Sequence, residues 1–340
     1  MKKLLNFVLF LTLCAISMPV VTVGLAATQE EVPLEPHEPL VSETVLAQTQ
    51  QQKRYDEETA VTLLCGGEVR ELSLKDYLQG VLAAEMPAGF PEEALKAQAV
   101  AARTYTLYKM TLYREGADTV HQGADLCDDP GHCEAFADLT TQAAALWGDS
   151  ADIYRQRLQE AVEQTDGMIL VYEDQPIAAV FCAASTEKTE SAKDIWGSDL
   201  PYLVSVDSPG GQDCSRYEGT VAMAQTDFAE AVQARFPQAD FSEPPGTWFR
   251  DSHRSEAGSV LDVLVGGVRL TGSQVRQLVG LNSANFTVKV QGADLVFSTV
   301  GYGHGVGLSQ YGARYLALDG QCYDQILGHY YPGTQLRLEG

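Results

Sequence analysis

The sequence predicts an α+β protein: a single large mixed domain at 59–340, behind an N-terminal anchor at 1–27 and a flexible stalk at 28–58. Three observations predict it. Helical and strand periodicities follow one another through 59–340 without regular alternation, the mark of an α+β fold. The 340 residues, 45% hydrophobic and 20% charged, suffice for a sizeable core. The first 58 residues carry neither period: a lysine-led apolar stretch gives way to polar, proline-containing chain.

Taken in order, Lys2 and Lys3 precede a mostly apolar stretch from Leu4 to Ala27. About 20 such residues span a bilayer, with lysines held on the cytoplasmic side. The stretch exceeds a signal-peptide core, so an uncleaved anchor is expected, with cleavage near 24–26 as the alternative. Cys14 follows the bulky Leu13 and is a poor lipid-attachment site. The expectation is a single-pass membrane protein whose body is extracytoplasmic. Residues 28–58 read as a stalk.

"AVTLLC" (60–65), Gly66–Gly67 and "EVRELS" (68–73) read as a hairpin. Ser73 with Asp76 three residues on marks a helix start. Leu74, Tyr77, Leu78, Val81 and Leu82 recur at i, i+3, i+4, i+7 and i+8, an amphipathic stripe. Pro87 disfavours helical geometry at Met86 and ends the helix at Glu85. Pro91, Glu92 and Glu93 open a long helix over 91–113. An irregular loop follows, then a helix ending at Gly167 and two strands around the turn at 173–176. The stretch 200–250 reads as loop-rich. Beyond it come a strand, turn and short helix, a hairpin at 286–301, and a glycine-rich turn leading into a helix.

Charge excludes one class of partner. There are 23 Lys and Arg against 46 Asp and Glu, a net charge of −23. Phosphate backbones need basic patches, so nucleic acid is not expected.

Three stretches carry chemistry. Glu85 falls on the apolar face at the negative end of its helix; burial and the helix dipole both disfavour the charged form, as a general acid near neutral pH requires. The alternative is a glutamate at a frayed helix end, turned to solvent. No second carboxylate is evidently paired with it. In "HQGADLCDDPGHC", His121, Cys127 and Cys133 have H-x5-C-x5-C spacing and zinc-ligand chemistry, with a fourth position open. His132 ranks lower as a ligand, because adjacent residues seldom bind one ion. A Cys127–Cys133 disulfide is the alternative; export would permit it, and Cys65, Cys182, Cys214 and Cys322 leave an even count outside the anchor. In "GYGHGVGLSQYGA" (301–313), glycines around His304 allow close backbone approach. Ser309 and Gln310 open a helix whose N-terminal amides suit an oxygen-rich ligand. A purely structural turn is the other reading.

These stretches together resemble the stage II sporulation protein D (SpoIID) family. The matching pieces are "AAEMPAGFPEEALKAQAVAARTY", "TDGMILVYEDQPIAAVF", "TGSQVRQLVGLNSANFTV", "GYGHGVGLSQYGA" and "ILGHYYPGTQLRL", covering nearly all of 60–340 in the family's order. The resemblance implies a peptidoglycan lytic transglycosylase. Such enzymes cleave between N-acetylmuramic acid and N-acetylglucosamine in glycan strands stripped of stem peptides, leaving 1,6-anhydro ends. The family's catalytic glutamate maps onto Glu85. Its groove arginine maps onto Arg103, and Gln98, Ser185, His304, Ser309, Gln310 and Tyr311 are the further substrate-binding candidates. Zinc at His121, Cys127 and Cys133 is implied too, as are a cell-wall amidase and a membrane protein as partners in engulfment during sporulation. One departure stands out: "STEKT" (185–189) replaces the family's Ser-Gly-Gly-x-Thr and puts bulk and charge into that segment. The competing readings are a zinc amidase or peptidase, which the absence of H-E-x-x-H disfavours, and a non-catalytic glycan-binding module that activates an amidase.

Overall fold

Tyr55–Glu58 form one helical turn, α1, inside the segment expected as stalk. The computed structural model describes residues 54–114 and 120–339. The N–H groups of Tyr55 and Asp56 donate to the Asp166 carboxylate at 3.1 and 2.8 Å. The Asp56 carboxylate is buried against the Arg103 guanidinium. Polar composition marked these residues as stalk; an ion pair to a residue 47 positions away holds them in the fold instead.

Ala60–Cys65 (β1) and Glu68–Ser73 (β2) form the predicted hairpin, with Gly66 and Gly67 at φ 60° and 86°, as a two-residue turn of this hand needs. Ser73 Oγ accepts the Asp76 N–H at 3.1 Å and opens α2, Leu74–Glu85. Leu74, Tyr77, Leu78, Val81 and Leu82 are fully buried, as their spacing predicts. Met86 is extended (φ −123°, ψ 136°) ahead of Pro87, so α2 stops with Glu85 as its last residue. Glu92–Arg114 form α3, within a residue of the predicted limits at each end. The next loop contains Leu126–Cys127 (β3), which pairs parallel with β1 through Leu63–Leu126 and Leu64–Cys127. Leu139–Trp147 (α4), capped by Asp138, has no strong apolar stripe and escaped prediction; only Ala143 is buried. Ala151–Glu163 form α5, and α2 packs against both α3 and α5.

Met168–Tyr172 (β4) leads into a turn at Glu173 and Asp174, both at positive φ, and Gln175–Pro176 (β5). The chain divides here into two compact units. One runs to Ile169, with Pro176–Ala178 and the chain from Leu336; the other holds Leu170–Gln175 and Ala179–Gln335. Both mix helices with small, mainly antiparallel sheets, as an α+β fold should.

In the second unit, Phe181–Cys182 (β6) is followed by Ala192–Trp196 (α6). Glu218–Ala224 (β7) and Gln225–Arg235 (α7) occupy the region expected to be loops. The strand alternates half-buried and exposed positions, too weak a contrast for a sequence pattern. Phe249–Arg254 (β8), Val260–Val265 (β9) and Val268–Thr271 (β10) make one antiparallel sheet, and Thr271 caps Gly272–Val279 (α8) with a full capping box. The predicted hairpin, Phe286–Gln291 (β11) and Asp294–Val300 (β12), joins β7 in a second sheet. Phe228, Val232, Trp248, Val275, Phe286 and Phe297 lie in the core these sheets share with α7 and α8. Leu308–Ser309 (β13) pairs parallel with β6 and runs into Gln310–Leu318 (α9); Tyr323–Tyr330 (α10) follows.

The expected single-pass membrane protein is corrected. Among the described residues, no helix is long and apolar enough to cross a membrane, and residues 1–27, on which that expectation rested, lie outside them.

Candidate functional site

The loop after α3 is fastened to the hairpin before it bends. Asp125 accepts from Thr62 N and Oγ1 at 2.9 and 2.7 Å, and β3 extends the sheet through Cys127. Asp129 then turns the chain: its carboxylate accepts from Gly131 N, and its carbonyl oxygen accepts from His132 N and Cys133 N at 3.0 and 2.8 Å. That turn defeats the objection to adjacent ligands. It directs both His132 and Cys133 toward His121 and Cys127, and the four donor atoms lie within 4.8 Å of one another. His132 Nδ1 is 3.0 Å from His121 Nε2, 3.6 Å from Cys127 Sγ and 3.7 Å from Cys133 Sγ; Cys133 Sγ is 3.2 Å from His121 Nε2. Tetrahedral zinc with bonds of about 2.0–2.3 Å sets its ligands about 3.3–3.8 Å apart. The four donors scatter around that spacing, from 3.0 Å to no more than 4.8 Å, so small side-chain shifts would bring them to a closed two-histidine, two-cysteine site, where the spacing suggested three ligands and an open position. Burial holds the Cys133 thiol neutral well above its usual range, which a bound cation would reverse. Cys127 and Cys133 are not joined to each other, so the disulfide alternative is not what forms.

Directly after Cys133, the chain runs along α2. Ala135 N donates to Glu85 Oε1 at 2.9 Å. Glu134 is buried, and its Oε2 accepts from Tyr77 OH at 3.3 Å and Thr106 Oγ1 at 3.0 Å. Phe136 stacks on Tyr77 with ring centroids 5.8 Å apart, and Ala137 N donates to Gly80 O. A Cβ at position 80 would run into the Phe136 ring and the Ala137 carbonyl, so glycine permits this approach. Glu85 is half-buried at the helix end. Burial pushes its pKa up to about 7, against a smaller opposing effect of the Ala135 N–H. Burial likewise drives Glu134 well above the carboxylate range, with the Glu85 charge adding to it. A second carboxylate thus stands beside Glu85, contrary to expectation. Sequence gave no sign of it, because a lone acid in an aperiodic loop is identified only by its tertiary partners.

Arg103, expected to line a substrate groove, lies in the interior of the first unit. It is fully buried: Nε and Nη2 bond Asp56, Nη1 donates to Met168 O at 3.1 Å, and Nη2 also reaches Val162 O at 3.3 Å. Gln98 is fully buried too. Both serve the interior of the first unit, because on a helix packed by α2 and α5 their faces turn inward.

In the second unit the structure gathers Ser185, His304, Ser309, Gln310 and Tyr311, but chiefly as scaffold. Ser309 Oγ caps α9 and also accepts from Ser185 N at 3.2 Å. Ser185 Oγ donates to Ser208 Oγ at 2.6 Å, which lies 3.1 Å from Tyr330 OH. Ser185, Ser309 and Gln310 are buried, which leaves them no face for a glycan. His304 is half-buried; its Nδ1 accepts from Val306 N, its ring lies 5.1 Å from Trp196, and burial lowers its pKa to about 4. Tyr311 N donates to Ala183 O, and burial raises its phenol to about 12. Within the glycine-rich segment, Ser309 and Gln310 are buried and His304 and Tyr311 half-buried. In the "STEKT" departure, Glu187 is exposed and Lys188 pairs with Glu256.

The family model described as Stage II sporulation protein (SpoIID) matches residues 66–172. Stage II sporulation protein D of Bacillus subtilis (strain 168) is 36% identical over 271 residues, covering 79% of this chain and 75% of that protein. The chain belongs to the SpoIID family. A second such protein, from Bacillus amyloliquefaciens, is 35% identical over 268 residues with the same coverage. The amidase enhancer of Bacillus subtilis is 27% identical over 309 residues, covering 76% of this chain but 40% of that protein. The SpoIID match contains Glu85, the four donors and Glu134, and ends before Ser185.

Proposed function

We propose that this SpoIID-family chain is a peptidoglycan lytic transglycosylase acting in cell-wall remodelling during sporulation, with Glu85 as its single acid and base. The supporting observation is a half-buried carboxyl at a helix end, titrating near 7, in a chain of this family. Protonated Glu85 gives its proton to the glycosidic oxygen between N-acetylmuramic acid and N-acetylglucosamine. The bond breaks through an oxocarbenium-like state. The resulting carboxylate takes the proton of the muramic 6-hydroxyl, whose oxygen closes on C1 and leaves a 1,6-anhydro end. No water is consumed. A hydrolase would call for a second carboxylate at the sugar. Glu134 is too deeply buried for that, and one of its oxygens already serves Tyr77 and Thr106.

The substrate is glycan strand freed of stem peptides, which places an amidase upstream. A second reading, a glycan-binding module that activates such an amidase, is favoured by the similarity to the amidase enhancer. A digest of peptide-free strands, read by mass spectrometry, decides between them: anhydro-muramic ends support the enzyme, and no cleavage by folded protein supports the module.

The pH profile follows from burial. The neutral carboxyl is the working form at the first step. At pH 6 a group titrating near 7 is about nine-tenths protonated, against about 3% for one at 4.5. The rate is expected to hold to about pH 7 and then fall about tenfold per unit. A profile already falling at pH 5 would remove Glu85 from the acid's role.

We assign zinc to His121, Cys127, His132 and Cys133. Four protein ligands leave no place for activated water, so zinc supplies a cross-link for the loop. Purified chain is expected to carry one zinc. Its removal, by chelator or by Cys133→Ser, should lower the melting temperature by about 10 °C or more. An unchanged melt after complete removal, shown by elemental analysis, would refute the structural role.

A further inference from the structure

The geometry points to Glu134 as a positioning residue for Glu85: it locks the loop so that the Ala135 N–H stays on the Glu85 carboxyl. This rests on the reading of Glu85 as the acid. Three consecutive residues divide the work. The side chain of Cys133 faces the other donors, that of Glu134 faces the helices, and the backbone N–H of Ala135 faces Glu85. Glu134 is 2% exposed, and its Oε2 takes hydroxyls from two helices, Tyr77 on α2 and Thr106 on α3. Tyr77 sits eight residues before Glu85 on the same helix. Glu134 therefore fixes the loop to the element that carries the acid, one residue from the amide that touches it.

On α3, Tyr105 and Lys109 also lie near Glu134, with Lys109 Nζ 5.5 Å from the Tyr105 ring centroid. Among the described residues, the one hydrogen bond to the Glu85 side chain comes from Ala135, so a small drift of this loop would release the acid. A general acid must be held within hydrogen-bond reach of its target oxygen, and misplacement by about 1 Å costs about a hundredfold.

The test compares Glu134→Gln, Glu134→Ala and Tyr77→Phe in the full, zinc-loaded chain. Glutamine keeps the shape and a carbonyl oxygen for both hydroxyls, so kcat should stay within about threefold. Alanine should lower kcat at least about thirtyfold with KM within about twofold and zinc retained. The basic midpoint of its pH profile should move up, because losing the Ala135 N–H withdraws a donor that favours the carboxylate. Tyr77→Phe, the milder change, should shift kcat and the midpoint in the same directions. In nitrogen-15 spectra the Ala135 amide should titrate with Glu85 in the wild type and cease to in Glu134→Ala. Wild-type kcat and midpoint in Glu134→Ala would overturn the inference. So would loss of zinc or of folding in both Glu134 variants, which would make the residue merely structural. If the wild type cleaves no glycan, the proposed function fails, while the Ala135 titration still reports whether Glu134 holds the contact.

Discussion

Glu85→Gln is expected to lower glycan cleavage at least about a thousandfold while the protein folds and binds zinc as before. The size follows from the role: one carboxyl serves both proton transfers, and such a group contributes about a hundredfold to ten-thousandfold. Glutamine fills the same space and can still accept the Ala135 N–H that Glu85 accepts at 2.9 Å. What it lacks is an acidic proton to give. KM should change little, so the loss should appear in kcat. Residual cleavage above about a tenth of wild type, with the anhydro product retained, would mean that another group supplies the proton.

Asp56→Ala is expected to cost about 3–5 kcal/mol, because it strands a buried guanidinium. Arg103 is 0% and Asp56 2% exposed, so neither charge has water to fall back on. The melting temperature should drop by about 10 °C or more. Asp56→Leu combined with Arg103→Met removes both charges together and should recover most of the loss. The double variant also separates two roles for Arg103. If the arginine only holds the first unit together, the refolded double variant should cleave glycan with unchanged KM. A raised KM at recovered stability would return Arg103 to the substrate groove. A single Asp56→Ala cost below about 1 kcal/mol would show that the pair carries little.

Local rules made much of this architecture legible. Ser73 as a cap, the stripe from Leu74 to Leu82 and Pro87 as a stop bracket α2 to the residue, since each acts within a few positions along the chain. The hairpins at 60–73 and 286–300 followed from alternating apolar residues around glycine turns. Elements with weak contrast were lost, notably α4, which buries only Ala143, and β7 with α7 in the stretch read as loops. The site divided along the same line. Glu85 and three of the four clustered donor side chains could be singled out by residue type and spacing. His132 was ranked down on a rule about neighbours that the Asp129 turn overrides. Glu134 depends on Tyr77 and Thr106, 57 and 28 residues away, and nothing local announces it. Arg103, Ser185, Ser309 and Gln310 show what motif reading leaves out. Polar residues in motifs suggest ligand contact, yet all four of these are buried.

The close approach of the 133–137 loop to α2 has an evolutionary consequence. Gly80 has no room for a methyl group because the Phe136 ring and the Ala137 carbonyl occupy that space, while the same ring stacks on Tyr77. Positions 77, 80 and 136 therefore cannot drift independently. A lineage that acquires alanine at 80 must shrink the ring at 136, and so give up the stack on 77, or lift the loop and with it the amide that reaches Glu85. Replacements at these three sites should arrive as matched sets across descendants, so their ancestry is tied to the acid's even though none of them handles a proton.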